Sequence, residues 1–421
     1  MRIIRIQVIL VYLLFCTFLS AQPHSITLDS CYFLAIKNYP LSKQFAWNED
    51  MRSLTLDNIN KGWLPQVNTI AQLTYQSEVT SIPIKLPNIN IPSPNKDQYK
   101  VYLEGNQVIY EGGQMNAQKR LKSAEIDMEN EKNNATIYQI KDKINQLYFG
   151  ILMINEQQIG LKLIKSDLQA TLHKVEGAIS NGTMLPSNAD NLQAEILRID
   201  QRNADLIGNK NGLLVMLSWI TATELDSNSV LVIPNKGNAF RSVNRPELLI
   251  WDAGKKLLDI QSEIIKIRNL PRLNIFIQAG FGKPALNLLS NELDPYFLGG
   301  IRLQVPLTSW YNNRNDRQLI KINKQGIDLQ KEQFLYNLQL QQKQQNAEQD
   351  RLDRLIIYDD QIIATREKSM KAAQSQLDHG VITISELINQ SNKIEDARNN
   401  KALHKMQLLI NYYNQKYLTG N

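Results

Sequence analysis

The side chains that most often carry chemistry are few in this chain and lie far apart. The four histidines are His24, His173, His379 and His404, and none has a cysteine or carboxylate at a spacing that would complete a metal site. Asp359-Asp360 and Glu395-Asp396 are adjacent acid pairs in helical stretches. Neighbours on a helix point in different directions, so both pairs read as solvated surface. Gly280-Phe281-Gly282-Lys283-Pro284 spaces its glycines somewhat like a dinucleotide loop. Its proline and the lack of a following helix make it a strand end running into a turn. No P-loop is present. The reading gives no catalytic residue, no metal ligand and no cofactor, and a chain of this kind reads as a conduit or scaffold, not an enzyme.

Composition and address support that view. Of 421 residues only 7% are aromatic, while Gln, Asn, Lys, Leu and Ile dominate long stretches, a balance that favours long helices. Arg2 and Arg5, the apolar run Val8 to Phe18 and Leu19-Ser20-Ala21 predict a signal peptide at 1–21. Cleavage there lowers the net charge from +6 to +4 and leaves one cysteine, Cys31, so no intramolecular disulfide can form. The charge is spread without a basic block, which excludes nucleic acid as the expected partner. No later segment is apolar enough for a spanning helix, which leaves a periplasmic, extracellular or β-barrel protein open.

The chain then says nearly the same thing twice. Asn38-Tyr39-Pro40-Leu41 and Leu64-Pro65 return as Arg245-Pro246-Glu247-Leu248 and Leu270-Pro271, 206 residues later. Gly182 and Ala204 return as Gly380 and Ala402, 198 residues later. This divides the chain into a first repeat at 22–220, a connector at 221–243 and a second repeat at 244–421. Each repeat reads as short helix, helix, strand, loop, strand, very long helix, turn, helix.

After Pro65 the period changes from 3.6 to 2. Val67, Thr69, Ala71, Leu73 and Tyr75 share one strand face, as do Val101 and Leu103, then Leu273, Ile275, Ile277, Ala279 and Phe281, then Phe297, Ile301, Leu303 and Val305. Strand pairs are expected at 63–78 with 98–110 and at 270–283 with 295–308, joined in the first repeat by a proline- and asparagine-rich loop at 80–97. The alternation fits strands facing lipid on one side and water on the other, and equally a four-stranded sheet packed on helices.

Long helical hairpins are expected at 113–220 and 313–419. Residues 113 to 179 contain no proline and would span ~100 Å as one helix. Ile137, Ile140, Ile144, Leu147, Ile151, Ile154, Leu161, Leu168 and Val175 form a heptad seam, with Lys165 as a wetter contact. Gly182 and Gly380 mark the hairpin tips, because glycine is favoured just past a helix end.

Taken together, these motifs, with Gln107-Val108-Ile109-Tyr110-Glu111-Gly112-Gly113 and the ending Tyr417-Leu418-Thr419-Gly420, resemble the TolC-type outer-membrane efflux protein family over about residues 25–420. The resemblance implies an α+β membrane protein and a homotrimer. Each protomer would give four strands to a shared twelve-stranded β-barrel in outer-membrane lipid, with a long coiled-coil helical barrel projecting into the periplasm. The partners it implies are a periplasmic adaptor protein and an inner-membrane transporter, served as a passive exit duct. It also implies a periplasmic mouth just beyond the tips, at Glu386 and Asn389 and their first-repeat counterparts Asn188 and Asn191. Asn389 departs from the family's common aspartate. A periplasmic adaptor or a coiled-coil scaffold remains the alternative.

Overall fold

The alternating segments become strands in the computed structural model, which describes residues 25–80, 93–237 and 242–420. The expected signal peptide, Cys16 and His24 lie outside the described residues, as does most of the 80–97 loop. In chain order the elements are β1 (Ser25–Ile26), α1 (Leu28–Asn38), α2 (Gln44–Asn60), β2 (Gln66–Tyr75), β3 (Asp97–Tyr110), α3 (Gln114–Tyr138), α4 (Ile140–Ser180), α5 (Pro186–Thr221), β4 (Val230–Leu231), α6 (Glu247–Ile267), β5 (Arg272–Lys283), β6 (Asp294–Gln304), α7 (Asn313–Asp378) and α8 (Ile384–Thr419). Thr27 caps α1, its hydroxyl accepting the Ser30 N–H at 3.2 Å.

The residues 113 to 179 do not form one uninterrupted helix. Gln139 keeps a helical backbone, but Gln139 N–H bonds Thr136 C=O and Asp142 N–H bonds Gln139 C=O, both at 3.2 Å. These i→i+3 bonds tighten one turn and separate α3 from α4. The segment 221–243 is also more than a connector. Its β4 pairs in parallel with β1, Ser25 opposite Val230 and Ile26 opposite Leu231.

Two compact units are interleaved along the chain. Met1–Ser42, Asn134–Pro246 and Phe334–Asn421 form one, and Lys43–Asn133 and Glu247–Gln333 form the other.

The first unit holds two apolar cores. One gathers Cys31, Ile144, Tyr148, Phe149, Leu214, Leu217 and Tyr413, with Ile26 and Leu231 from the short strands. The Tyr148 hydroxyl lies 2.9 Å from Ile26 C=O and 2.7 Å from Val232 C=O, and donates to one at a time. The second core joins Leu161, Leu168 and Val175 of α4, Leu192 and Ile196 of α5, Leu377 of α7, and Ile384 and Leu387 of α8. Apart from half-buried Ile140, the heptad seam is buried throughout. Lys165 stays partly exposed and bonds Asp200 of α5 at 2.5 Å.

The second unit contains a four-stranded antiparallel sheet in the order β2-β3-β5-β6. Register sets its faces. Thr69, Leu103, Ala279 and Phe297 stand in one cross-strand row, and Val67, Gly105, Ile277 and Gly299 in another on the same side. Every apolar set predicted within these strands falls on this side. The other side carries Gln66, Asn68, Gln72, Lys100, Glu104, Asn106, Asn274, Gln278 and Arg302, with Ile70, Phe276 and Leu298 among them. The apolar side is not covered by helices: Val67 is 65% exposed and Ile301 68%. At Gly280 a Cβ would lie 2.2 Å from the Val101 carbonyl oxygen, so the close pairing with Tyr102 requires glycine there.

The helices of this unit pair through polar ladders. Asp252, Lys255 and Asp259 of α6, and Arg268 just past its end, meet Lys331, Asp328, Lys324 and Asp316 of α7 in antiparallel register. Arg52 of α2 bonds Asp127 of α3 at 2.7 Å.

Candidate functional site: the hairpin ends

Both hairpins turn by the same hydrogen-bond pattern. After α4, Gly182 N–H bonds Ile179 C=O and Thr183 N–H bonds Ala178 C=O, each at 2.9 Å. After α7, Gly380 N–H bonds Leu377 C=O at 2.9 Å and Val381 N–H bonds Gln376 C=O at 2.8 Å. These are Schellman motifs, and both glycines have φ +72°. A side chain there would meet no clash, so the left-handed backbone alone selects glycine. Gly380, with Thr183 beside the first tip, lines one groove with Val175, Met184 and His379.

The returning helices start differently. Pro186 opens α5, with no side-chain cap from Leu185. Thr383 caps α8, its hydroxyl accepting the Glu386 N–H at 3.2 Å. Glu386 therefore sits in the first turn of α8, where the positive end of the helix dipole favours a carboxylate. Its side chain is exposed and accepts from Gln390 Nε2 at 3.1 Å. Asn389 and Asn191 are exposed and Asn188 is half-buried. The four sites of the expected mouth thus lie in the opening turns of α5 and α8, around the core of Leu192, Ile384 and Leu387.

Farther along α8, polar groups tie it to α5 and α7. Arg198 and Arg202 of α5 donate to Asn392 and Glu395 of α8, each at 3.1 Å. Arg398 bonds Glu367 of α7 at 2.9 Å, and Lys401 pairs with Asp360. His404 donates from Nδ1 to Asp359 at 2.6 Å. The acid pairs are therefore not simply solvated surface: Asp359 and Glu395 are buried, each beside an acid that is not. Their partners lie 45 residues and 193 residues away, beyond the reach of local spacing. Burial raises the Glu395 carboxyl above the ordinary carboxylate range, and Arg202 draws it partly back. Among the described residues, no group of three or more His, Cys, Asp or Glu could hold a metal ion. No described helix is long and apolar enough to cross a membrane.

No sequence-family profile matches the chain, and no curated protein matches it by sequence. Solved structures do match. CusC, studied for folding and transmembrane channel formation, aligns with a TM-score of 0.68 at 12% identity, covering 94% of this chain and 92% of its own. The outer membrane protein VceC of Vibrio cholerae aligns at 0.64 and 12% identity, covering 94% and 96%. The MtrE outer membrane channel of Neisseria gonorrhoeae aligns at 0.64 and 12% identity, covering 94% and 89%. The uncovered apolar sheet face, the twin hairpin tips and these near-full-length alignments lead to one conclusion: the chain has the fold of the TolC-type outer-membrane channels.

Proposed function

We propose that the protein is the outer-membrane exit duct of a tripartite efflux pump or type I secretion system. Three copies close one twelve-stranded barrel, with the apolar sheet face toward lipid and the polar face toward the lumen. The helical hairpins project into the periplasm, where a periplasmic adaptor and an inner-membrane transporter deliver cargo. The duct acts passively and catalyses no reaction. At its mouth, Glu386 contributes a ring of three carboxylates beside Asn389, with Asn188 and Asn191 facing them.

The observation that carries this reading is the sheet itself. Its apolar face is exposed, and among the described residues its outer strands β2 and β6 each pair on one side only. Four strands are too few to close a barrel, since about eight is the smallest bacterial example. Strands of 10 to 14 residues match the roughly 9 to 11 that cross a bilayer when tilted. The test is the mass of the protein extracted from outer membranes in mild detergent, by light scattering with detergent subtraction. A trimer obtained only by detergent extraction is the expected result. A monomer in the aqueous periplasmic fraction would replace the duct with an adaptor or scaffold.

A further inference from the structure

On the polar face of the sheet, Arg272 of β5 stands opposite Gln304 of β6, and Asn274 stands opposite Arg302. Arg272 and Arg302 are therefore diagonal neighbours on one face, close enough for their long side chains to interact. Two like charges so placed repel, and a sheet normally sets opposite charges there. Among the described residues, no carboxylate lies within ion-pair distance of either guanidinium. The helices of the same unit, in contrast, match their cations repeatedly, as in Arg120–Glu263, Lys324–Asp259 and Lys331–Asp252.

The direct partners of both arginines carry no charge. Arg302 lies 4.7 Å from the centroid of the Phe276 ring, on the same face. Arg272 donates to Gln114 Oε1 at 2.6 Å. The acids that might have answered them are engaged elsewhere. Glu104 accepts from Asn106 at 2.7 Å and from Gln278 at 2.6 Å, in a row ~13 Å farther along the strands. Glu111 accepts the Met115 N–H at 2.5 Å. Two planar five-donor groups remain, flanked by the amides of Asn274 and Gln304; Glu104 acts on Arg302 only through space, and among the described residues no carboxylate bonds either guanidinium.

We propose that Arg272 and Arg302 form an anion-binding site that takes carboxylate, phosphate or sulfate groups of cargo moving along the polar face. The site rests on the reading that this face lines the duct. A guanidinium pair suits such groups because its donors match two oxygens at once. A lipid headgroup offers the same phosphate chemistry, but lipid reaches the apolar face and not this one.

The test combines two readouts on full-length protein. Sodium sulfate is titrated by calorimetry into detergent-purified protein free of phospholipid. The Arg272→Gln/Arg302→Gln double variant should bind about ten-fold more weakly than wild type, with Arg302→Lys between them. In planar bilayers under a potassium chloride gradient, the double variant should move the reversal potential toward that of potassium. If the double variant fails to assemble, Arg302→Gln alone, at an exposed position, carries both measurements in the same direction. Equal sulfate binding by wild type and variant, or a conducting variant with the wild-type reversal potential, overturns the proposal. Sulfate binding that depends on the arginines in a wild type that does not conduct supports the site and removes the duct.

Discussion

Single buried polar atoms fix much of the helical unit. The Tyr148 hydroxyl serves the backbone at Ile26 and Val232, beside the paired β1 and β4. Tyr148→Phe removes that donor from the part-buried Val232 carbonyl and from the Ile26 carbonyl, which keeps the Val232 N–H, and should lower stability by about 0.5–1.5 kcal/mol in urea unfolding. Glu395 gives a pH signature. Its carboxyl is raised in the folded protein chiefly by burial, with Arg202 and Arg198 opposing and Asp396 adding to the rise. Because the folded value exceeds the unfolded one, its contribution to stability is full below the unfolded value. It is lost as pH rises through the folded value. Glu395→Gln removes this dependence, so the difference in melting temperature between about pH 4 and about pH 7 should shrink relative to wild type. An unchanged difference would assign the pH response to other groups. Glu386 is exposed and, beyond its bond from Gln390, faces the proposed mouth as a carboxylate in reach of ions. Glu386→Ala should reduce cation preference in single-channel recordings, opposite in sign to loss of the two sheet arginines, and unchanged selectivity would remove Glu386 from the mouth.

At the scale of elements, strand register makes the sharpest prediction. Leu273, Ile275 and Leu303 stand on the apolar face, and Gln72 on the other. Lysine at any of the first three should cost ~2–4 kcal/mol near the bilayer midplane, while Gln72→Lys should be mild. The readout is the fraction of trimer recovered from outer membranes, and equal losses on both faces would refute the assignment of faces. The strands were legible because period-2 alternation is local, bounded by prolines at Pro65 and Pro271. The tips were legible because only glycine readily takes φ +72° there. The features that escaped the sequence depend on distant partners or on no special residue at all. The i→i+3 turn at Gln139 has neither proline nor glycine to announce it. The β1–β4 pair is two residues long and joins segments about 200 positions apart. Asp359 and Glu395 look like surface acids until His404 and Arg202 arrive from other helices. Of the expected mouth, the positions at the openings of α5 and α8 were legible from the tip glycines, whereas the Thr383 cap beneath Glu386 emerged with the structure.

For the whole molecule, closure of the proposed barrel across the edges of β2 and β6 can be tested chemically. Cys31 is fully buried and burial pushes its thiol up to about 12, so it stays inert in oxidation experiments. Paired cysteines introduced on the unpaired edges of β2 and β6, scanned over several registers, should give trimers resistant to SDS under oxidising conditions. A complete absence of cross-links across all registers would rule out edge-to-edge closure. The same edges bear on how the protein comes to exist. A chain that ends its own folding with two open strand edges and an uncovered apolar face is a transit species, prone to pair with any strand it meets. In the proposed trimer its last folding step needs two other copies. Assembly should therefore depend steeply on local concentration, and a tenfold drop in expression should deplete finished ducts by far more than tenfold while single chains are lost to proteolysis.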